Sequence, residues 1–211
     1  MCNLYRMTKG VDEVAHLFDV VAEAGANFAA EVYPGYRGLV VEGGRARAMT
    51  WGFPRPMKGK DGRPLKPKAV TNARDDKLGT AFWRDSFANR RCLIPVSAWA
   101  EAEGETGRMT RTWYTVPGEE MLGVAGLWRP SAEWGDVYTM VMVDACEAMV
   151  DVHDRMPVLL AREDWDRWQT ASPEDALPLV RKWDLELLAE RTDERWAGRA
   201  KSPLRDAPTL L

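Results

Sequence analysis

Residues Val137 to Val143 form a nearly continuous apolar run, ending YTMVMV, and so read as a strand buried on both faces near the centre of a sheet. Further strands are expected at Thr112 to Val116 and Met121 to Trp128. Leu39 to Glu42 and Ala46 to Trp51 flank Gly43-Gly44, a hairpin turn, and Cys92 to Ile94 reads as a buried strand ended by Pro95. Helices are expected at Val11 to Ala24, where apolar residues recur at helical spacing up to Gly25, and at Pro173 to Val180 and Trp183 to Arg195. Asp75 to Asn89 can hold another, and Ala145 to Val152 a short helix or turn. Residues 54 to 70 hold four prolines and two glycines, which predicts a long irregular stretch. Strands interspersed with helices indicate α+β rather than a regular βαβ wind. At 211 residues, 45% of them hydrophobic, one domain is expected, with a poorly ordered tail from Ala197.

Several function classes lack support. There is no GxGxxG, P-loop or GxSxG motif, so no nucleotide cofactor or serine hydrolase is indicated. Cys2, Cys92 and Cys146 are odd in number without CxxC spacing, and His16 and His153 are the only imidazoles; neither a disulfide framework, a metal nor a cofactor is expected. The first ten residues lack the apolar run of a signal peptide, and no segment reaches the roughly 18 to 20 apolar residues of a membrane span. A cytoplasmic protein, without membrane contact and acting as a monomer, is the expectation.

The net charge of −3 conceals polarity along the chain: from Arg37 to Arg91, fourteen basic residues face five acids, +9, leaving −12 elsewhere. Trp51, Phe53, Phe82 and Trp83 lie among those charges. Such a pattern fits a solvated basic loop, or a surface that holds phosphates and stacks bases.

Cys2 lies directly behind Met1, so loss of one methionine leaves an N-terminal 1,2-aminothiol. Its amine, with an ordinary pKa of about 8, forms imines with aldehydes, and the adjacent thiol can close on the imine carbon to give a thiazolidine. No internal cysteine can make that ring.

Four segments, in order, carry a family resemblance: Met1-Cys2; Trp51-Gly52-Phe53 with Asn72-Ala73-Arg74; Arg91-Cys92-Leu93-Ile94-Pro95 running to Glu101; and His153-Asp154-Arg155-Met156-Pro157. Together they resemble the SOS response-associated peptidase (SRAP) proteins, which sense abasic sites in single-stranded DNA. The resemblance implies a curved, barrel-like, mostly antiparallel β core flanked by helices. It also implies covalent capture of the ring-opened abasic aldehyde by Cys2. By the same resemblance, Glu101 moves protons at the amine and the sugar O4′, His153 aids ring opening and aligns the aldehyde oxygen, and Asn72 holds the Cys2 terminus or the sugar. Arg74 would pair with a phosphate, and Trp51, Arg37, Arg84 and Lys68 complete the expected DNA-binding set.

The chain also departs from the family pattern. Many members follow the cysteine with Gly-Arg and an aromatic, where Asn3-Leu4-Tyr5 stands here, and many flank the glutamate with aromatics where Ala100 and Ala102 stand here. Phosphate contact at position 4 and substrate shape are therefore open. Two other functions compete: a thiol peptidase of N-terminal-nucleophile type, and a non-catalytic single-stranded nucleic-acid binding module in which Cys2 is incidental. Strand scission through the Schiff base is a side branch of the capture chemistry.

Overall fold

The computed structural model describes residues 2–196. Five strands, Arg37–Glu42, Arg45–Trp51, Arg91–Val96, Leu122–Ser131 and Gly135–Asp144, form its centre. Gly135–Asp144 pairs antiparallel with Leu122–Ser131, that strand with Arg91–Val96, and the series continues through Arg37–Glu42 to Arg45–Trp51. A parallel pairing of Val137 with Thr50 and Tyr138 with Trp51 closes the ring into a barrel. Closure removes the open edges that such apolar strands would otherwise present. The expected central strand is indeed the most shared: beyond its barrel neighbours it pairs with Asn72–Arg74 on one side and Arg155–Pro157 on the other.

A second sheet, entirely antiparallel, runs in the order Leu188–Arg195, Thr110–Thr115, Ala98–Glu103, Tyr5–Arg6, Glu31–Val32. It packs on the barrel through a continuous core that includes Cys2, Tyr5, Trp99 and Tyr114 with Trp51, Tyr138 and Met140. The hydroxyls of Tyr5 and Tyr138 meet at 2.5 Å across the two sheets. Gly38 makes room for both, because a Cβ there would lie 2.1 Å from each oxygen.

Three expectations are corrected. The first helix stops at Phe18 instead of Ala24: Asp19 turns into the left-handed region at φ 53°, and Val21–Ala22 then pairs with Arg45 and Ala46. A β-branched run is as good a strand as a helix when an edge is on offer. Residues 54 to 70 are an antiparallel ribbon, Phe53–Lys58 against Pro64–Val70. Half the N–H groups of a two-stranded ribbon point away from the partner, so proline sacrifices no ladder bond at those positions. Trp183 to Arg195 contains no helix; Leu188–Arg195 is a strand that covers the edge of Thr110–Thr115. The tail from Ala197 lies outside the described residues.

Candidate functional site

Cys2 enters the molecule at the seam between the sheets. Two residues later the chain locks into the second sheet, where the Ala100 N–H donates to the Leu4 carbonyl. That register sets Glu101, on Ala98–Glu103, beside the start of the chain. Asn72 arrives from the barrel, on the short strand parallel to Gly135–Asp144, and its Nδ2 donates to the Cys2 carbonyl at 2.9 Å and to Thr71 Oγ1 at 2.8 Å. His153 follows a turn after Gly135–Asp144, held where Ala145 N–H donates to Asp154 O and His153 N–H to Met149 O. Four residues remote in sequence are thus placed together by one strand and one flanking segment of each sheet.

The reacting side of this cluster is buried. Cys2 is fully buried and Glu101 is 1% exposed, whereas the His153 side chain keeps 22% exposure and forms the solvent side. Burial pushes the Cys2 thiol up, and the charge of Glu101 adds to it. Burial likewise pushes Glu101 up to about 7 in all, the N-terminal charge working against it and the charge of Asp154 with it. At His153 the burial effect is opposite in sign and lowers the pKa, against the pull of Asp154. Near neutrality the imidazole is therefore uncharged, and the Glu101 carboxyl is divided between its two forms.

Hydrogen bonding selects the tautomer. His153 Nδ1 accepts from the Arg155 backbone N–H at 2.9 Å, so the neutral ring carries its proton on Nε2. Nε2 lies 4.0 Å from Glu101 Oε2, beyond a direct hydrogen bond but within reach of a bridging hydroxyl or water. Asn72 Oδ1 is buried and accepts no hydrogen bond from the described residues, while its Nδ2 is twice engaged. A buried acceptor left open is costly unless a ligand or a water supplies the donor.

Beside Asn72 lies a cavity of about 430 Å³ lined by Arg55, Val70, Arg74, Lys77, Thr80, Phe82 and Trp83 as well. Arg74 forms a two-point ion pair with Asp76, at 3.0 and 3.1 Å, on its rim. Arg37 and Arg84 do not line it; Arg37 donates to the Ala48 carbonyl at 2.8 Å, and Arg84 is exposed on the short helix Arg84–Asn89. Lys68 stands exposed on the ribbon. Trp51 is corrected: it is fully buried, edge-on to Tyr5, with its indole N–H donating to the Thr71 carbonyl, so no base can stack on it. Aromatic residues among charges signal a surface only when the strand leaves them on the outer face, and the barrel does not.

Sequence reasoning missed two supports. Thr71 donates to Asn3 Oδ1 at 3.4 Å and accepts from Asn72, joining the chain start to the barrel. Arg155 orients His153 through its backbone, while its side chain pairs with Asp75 at 2.7 Å and Asp144 at 3.3 Å rather than with Asp154. Adjacency to Asn72 was the only signal for Thr71, whereas Arg155 stands in the His153-to-Pro157 segment with no role assigned to it. Leu4, where many members have arginine, is buried with Ala98, Ala100 and Trp113, so no cation stands there. Arg6, two residues on, is stacked on Trp113 at 3.6 Å and paired with Glu31.

The family model for SOS response associated peptidase (SRAP) matches residues 1–192. The chain belongs to the SRAP family. An SRAP relative from Bacillus subtilis strain 168, named abasic site processing protein YoqW, is 22% identical over 100% of this chain and 99% of its own length. Abasic site processing protein HMCES of Pongo abelii is 32% identical over 38% of this chain, a match spanning 24% of that longer protein. Two crystal structures share the fold: a Bordetella bronchiseptica protein, at TM-score 0.76 and 24% identity over 90% of this chain and 99% of that one, and a Bacteroides thetaiotaomicron protein, at 0.77 and 16% over 99% and 97%. The mostly antiparallel, barrel-centred architecture is thus the SRAP architecture.

Proposed function

We propose that this SRAP protein captures abasic sites in single-stranded DNA as a covalent thiazolidine on Cys2, once Met1 has been removed. The observation that carries the proposal is the convergence of Asn72, Glu101 and His153 on a buried residue whose only chemical distinction is its place at the second position. The names of YoqW and HMCES, abasic site processing proteins, support the same reading.

The chemistry divides into two additions. The freed α-amine adds to C1′ of the ring-opened sugar, and the resulting carbinolamine loses water to form an imine. The thiol then adds across the C=N bond: sulfur bonds to carbon, and its proton ends on nitrogen. Both steps need an acid and a base in turn, which suits a carboxyl at about 7. Glu101 donates to the departing hydroxyl and afterwards relays the thiol proton to the imine nitrogen, a proton the raised Cys2 pKa keeps on sulfur until attack. The Nε2–H of His153 faces the same space and is suited to hold the aldehyde oxygen or assist O4′ during ring opening. Asn72 fixes the Cys2 carbonyl through Nδ2 and offers Oδ1 to the amine or a sugar hydroxyl.

The test is incubation of protein shown by mass to lack Met1 with an oligonucleotide carrying one abasic site. A denaturation-resistant adduct of the thiazolidine mass, formed with single-stranded DNA and absent with Cys2→Ala, is expected. No adduct from processed protein would overturn the proposal and return the thiol-peptidase and plain-binding readings to first place.

A further inference from the structure

The basic excess of the middle of the chain is not evenly available. Arg47 is tied to Glu42 and Asp136, Arg90 to Asp85, Arg74 and Lys77 to Asp76, and Arg91 is buried against the carbonyls of Phe87, Trp168 and Ala171. On the ribbon the situation differs. Arg55, Lys58, Lys60, Lys66 and Lys68 are exposed and pair with no carboxylate among the described residues, and only Arg63 meets an acid, Asp61. The ribbon is anchored at the end where Phe53 packs on Trp83 beneath the Arg129 guanidinium, 4.3 Å from its centroid, and Arg129 donates to the Pro54 carbonyl.

Arg55 and Lys68 are directly opposite each other across the ribbon. Like charges in that relation repel and destabilise the pairing. Phe53 and Val70, the next pair along the same face, lead from them toward Thr71 and Asn72, and Arg55 itself lines the cavity beside Asn72. The lining joins the apolar Val70, Phe82 and Trp83 to Arg55, its one cation without a carboxylate partner among the described residues, and to Arg74 and Lys77. Apolar wall and convergent cations, side by side, are the two requirements of an unpaired nucleotide: a surface for the base and charge for its phosphate.

We infer that the ribbon is a phosphate-gripping arm, in which Arg55 and Lys68 together clamp the backbone of the single strand flanking the captured site. The inference rests on the DNA reading above and extends it to affinity and footprint. The arm holds the strand without touching the reacting atoms.

The test is equilibrium binding of an unmodified single-stranded oligonucleotide as a function of salt, with Lys68→Glu and Arg55→Glu beside the wild type. Either reversal converts the repelling pair into an attracting one and cancels two phosphate contacts. Both variants should fold at least as stably, and the slope of log K against log salt should shrink by about 1.4, the release of two counterions from a single strand. Unchanged slopes in variants of normal thermal midpoint would overturn the inference. So would a change seen only with duplex DNA, which would move the arm to a double-stranded flank. Lower midpoints in both variants would overturn it too, because the opposed charges would then be structural. Adduct formation is scored separately: a wild type that binds but forms no adduct sinks the capture proposal and leaves the arm standing.

Discussion

Glu101 and Gly38 illustrate how single residues fix this site. Glu101 sits on a strand whose alternation turns it inward, and a carboxyl buried there titrates near 7. Capture should therefore follow a pH profile with an inflection near 7, and Glu101→Gln should lose the inflection along with about 10²-fold to 10⁴-fold in rate, read from single-turnover adduct formation. A profile unaltered by the substitution would remove Glu101 from proton transfer. Gly38 acts through space alone. An alanine there would press on the paired hydroxyls of Tyr5 and Tyr138 with no flexible neighbour to yield, so Gly38→Ala should cost about 1 to 3 kcal/mol in urea unfolding. At this scale chemistry singled out Cys2 alone, and the family resemblance supplied Asn72, Glu101 and His153, which lie beside it in one cluster. The sequence assigned no role to Arg155, which acts through its backbone, and was misleading on Trp51, whose exposure depends on a barrel closure that no local pattern encodes.

Elements were legible when both partners were local. The Gly43-Gly44 hairpin and the run from Val137 were found because their signals lie within the segment. The expected helix from Trp183 to Arg195 includes LAERTDER, rich in helix formers, and only the unpaired edge of Thr110–Thr115 makes a strand the better solution over Leu188–Arg195. The end of the first helix is a similar contest. Asp19 closes Val11–Phe18 from the left-handed region, donating its N–H to the Ala15 and His16 carbonyls. Aspartate tolerates that conformation at some cost and glycine at none, although glycine also loosens the unfolded chain. Asp19→Gly should on balance raise stability by a few tenths to about 1 kcal/mol, measured by denaturant midpoint at unchanged m-value. A decrease would mean that the aspartate side chain contributes to the cap.

For the whole molecule, burying the site couples stability to its chemistry. Glu101 has a folded pKa of about 7 against 4.5 for the exposed group, so the folded protein holds that proton more tightly than the unfolded chain. Its contribution is fully present below about 4.5 and is lost as pH rises through 7, on the order of 3 kcal/mol in all. His153 runs the other way. Its pKa is lowered on folding, so its contribution is present above 6.5 and is lost as pH falls through the folded value. Between 4.5 and 6.5 the two oppose each other, and above 6.5 only Glu101 continues to change. Glu101→Gln cancels one side of this opposition, because an amide of the same shape carries no proton to lose. The variant should match the wild type near pH 4.5, gain on it steadily up to about pH 7, and hold a constant advantage beyond. Urea midpoints at pH 5, 7 and 8.5 measure this directly. A pH-independent difference would mean that Glu101 does not titrate in the folded protein over that range, and with it would go the acid–base role assigned to this carboxyl. A gap that opens as pH rises, in a variant that captures abasic sites poorly, would identify Glu101 as a group the fold tolerates at a cost for its chemistry.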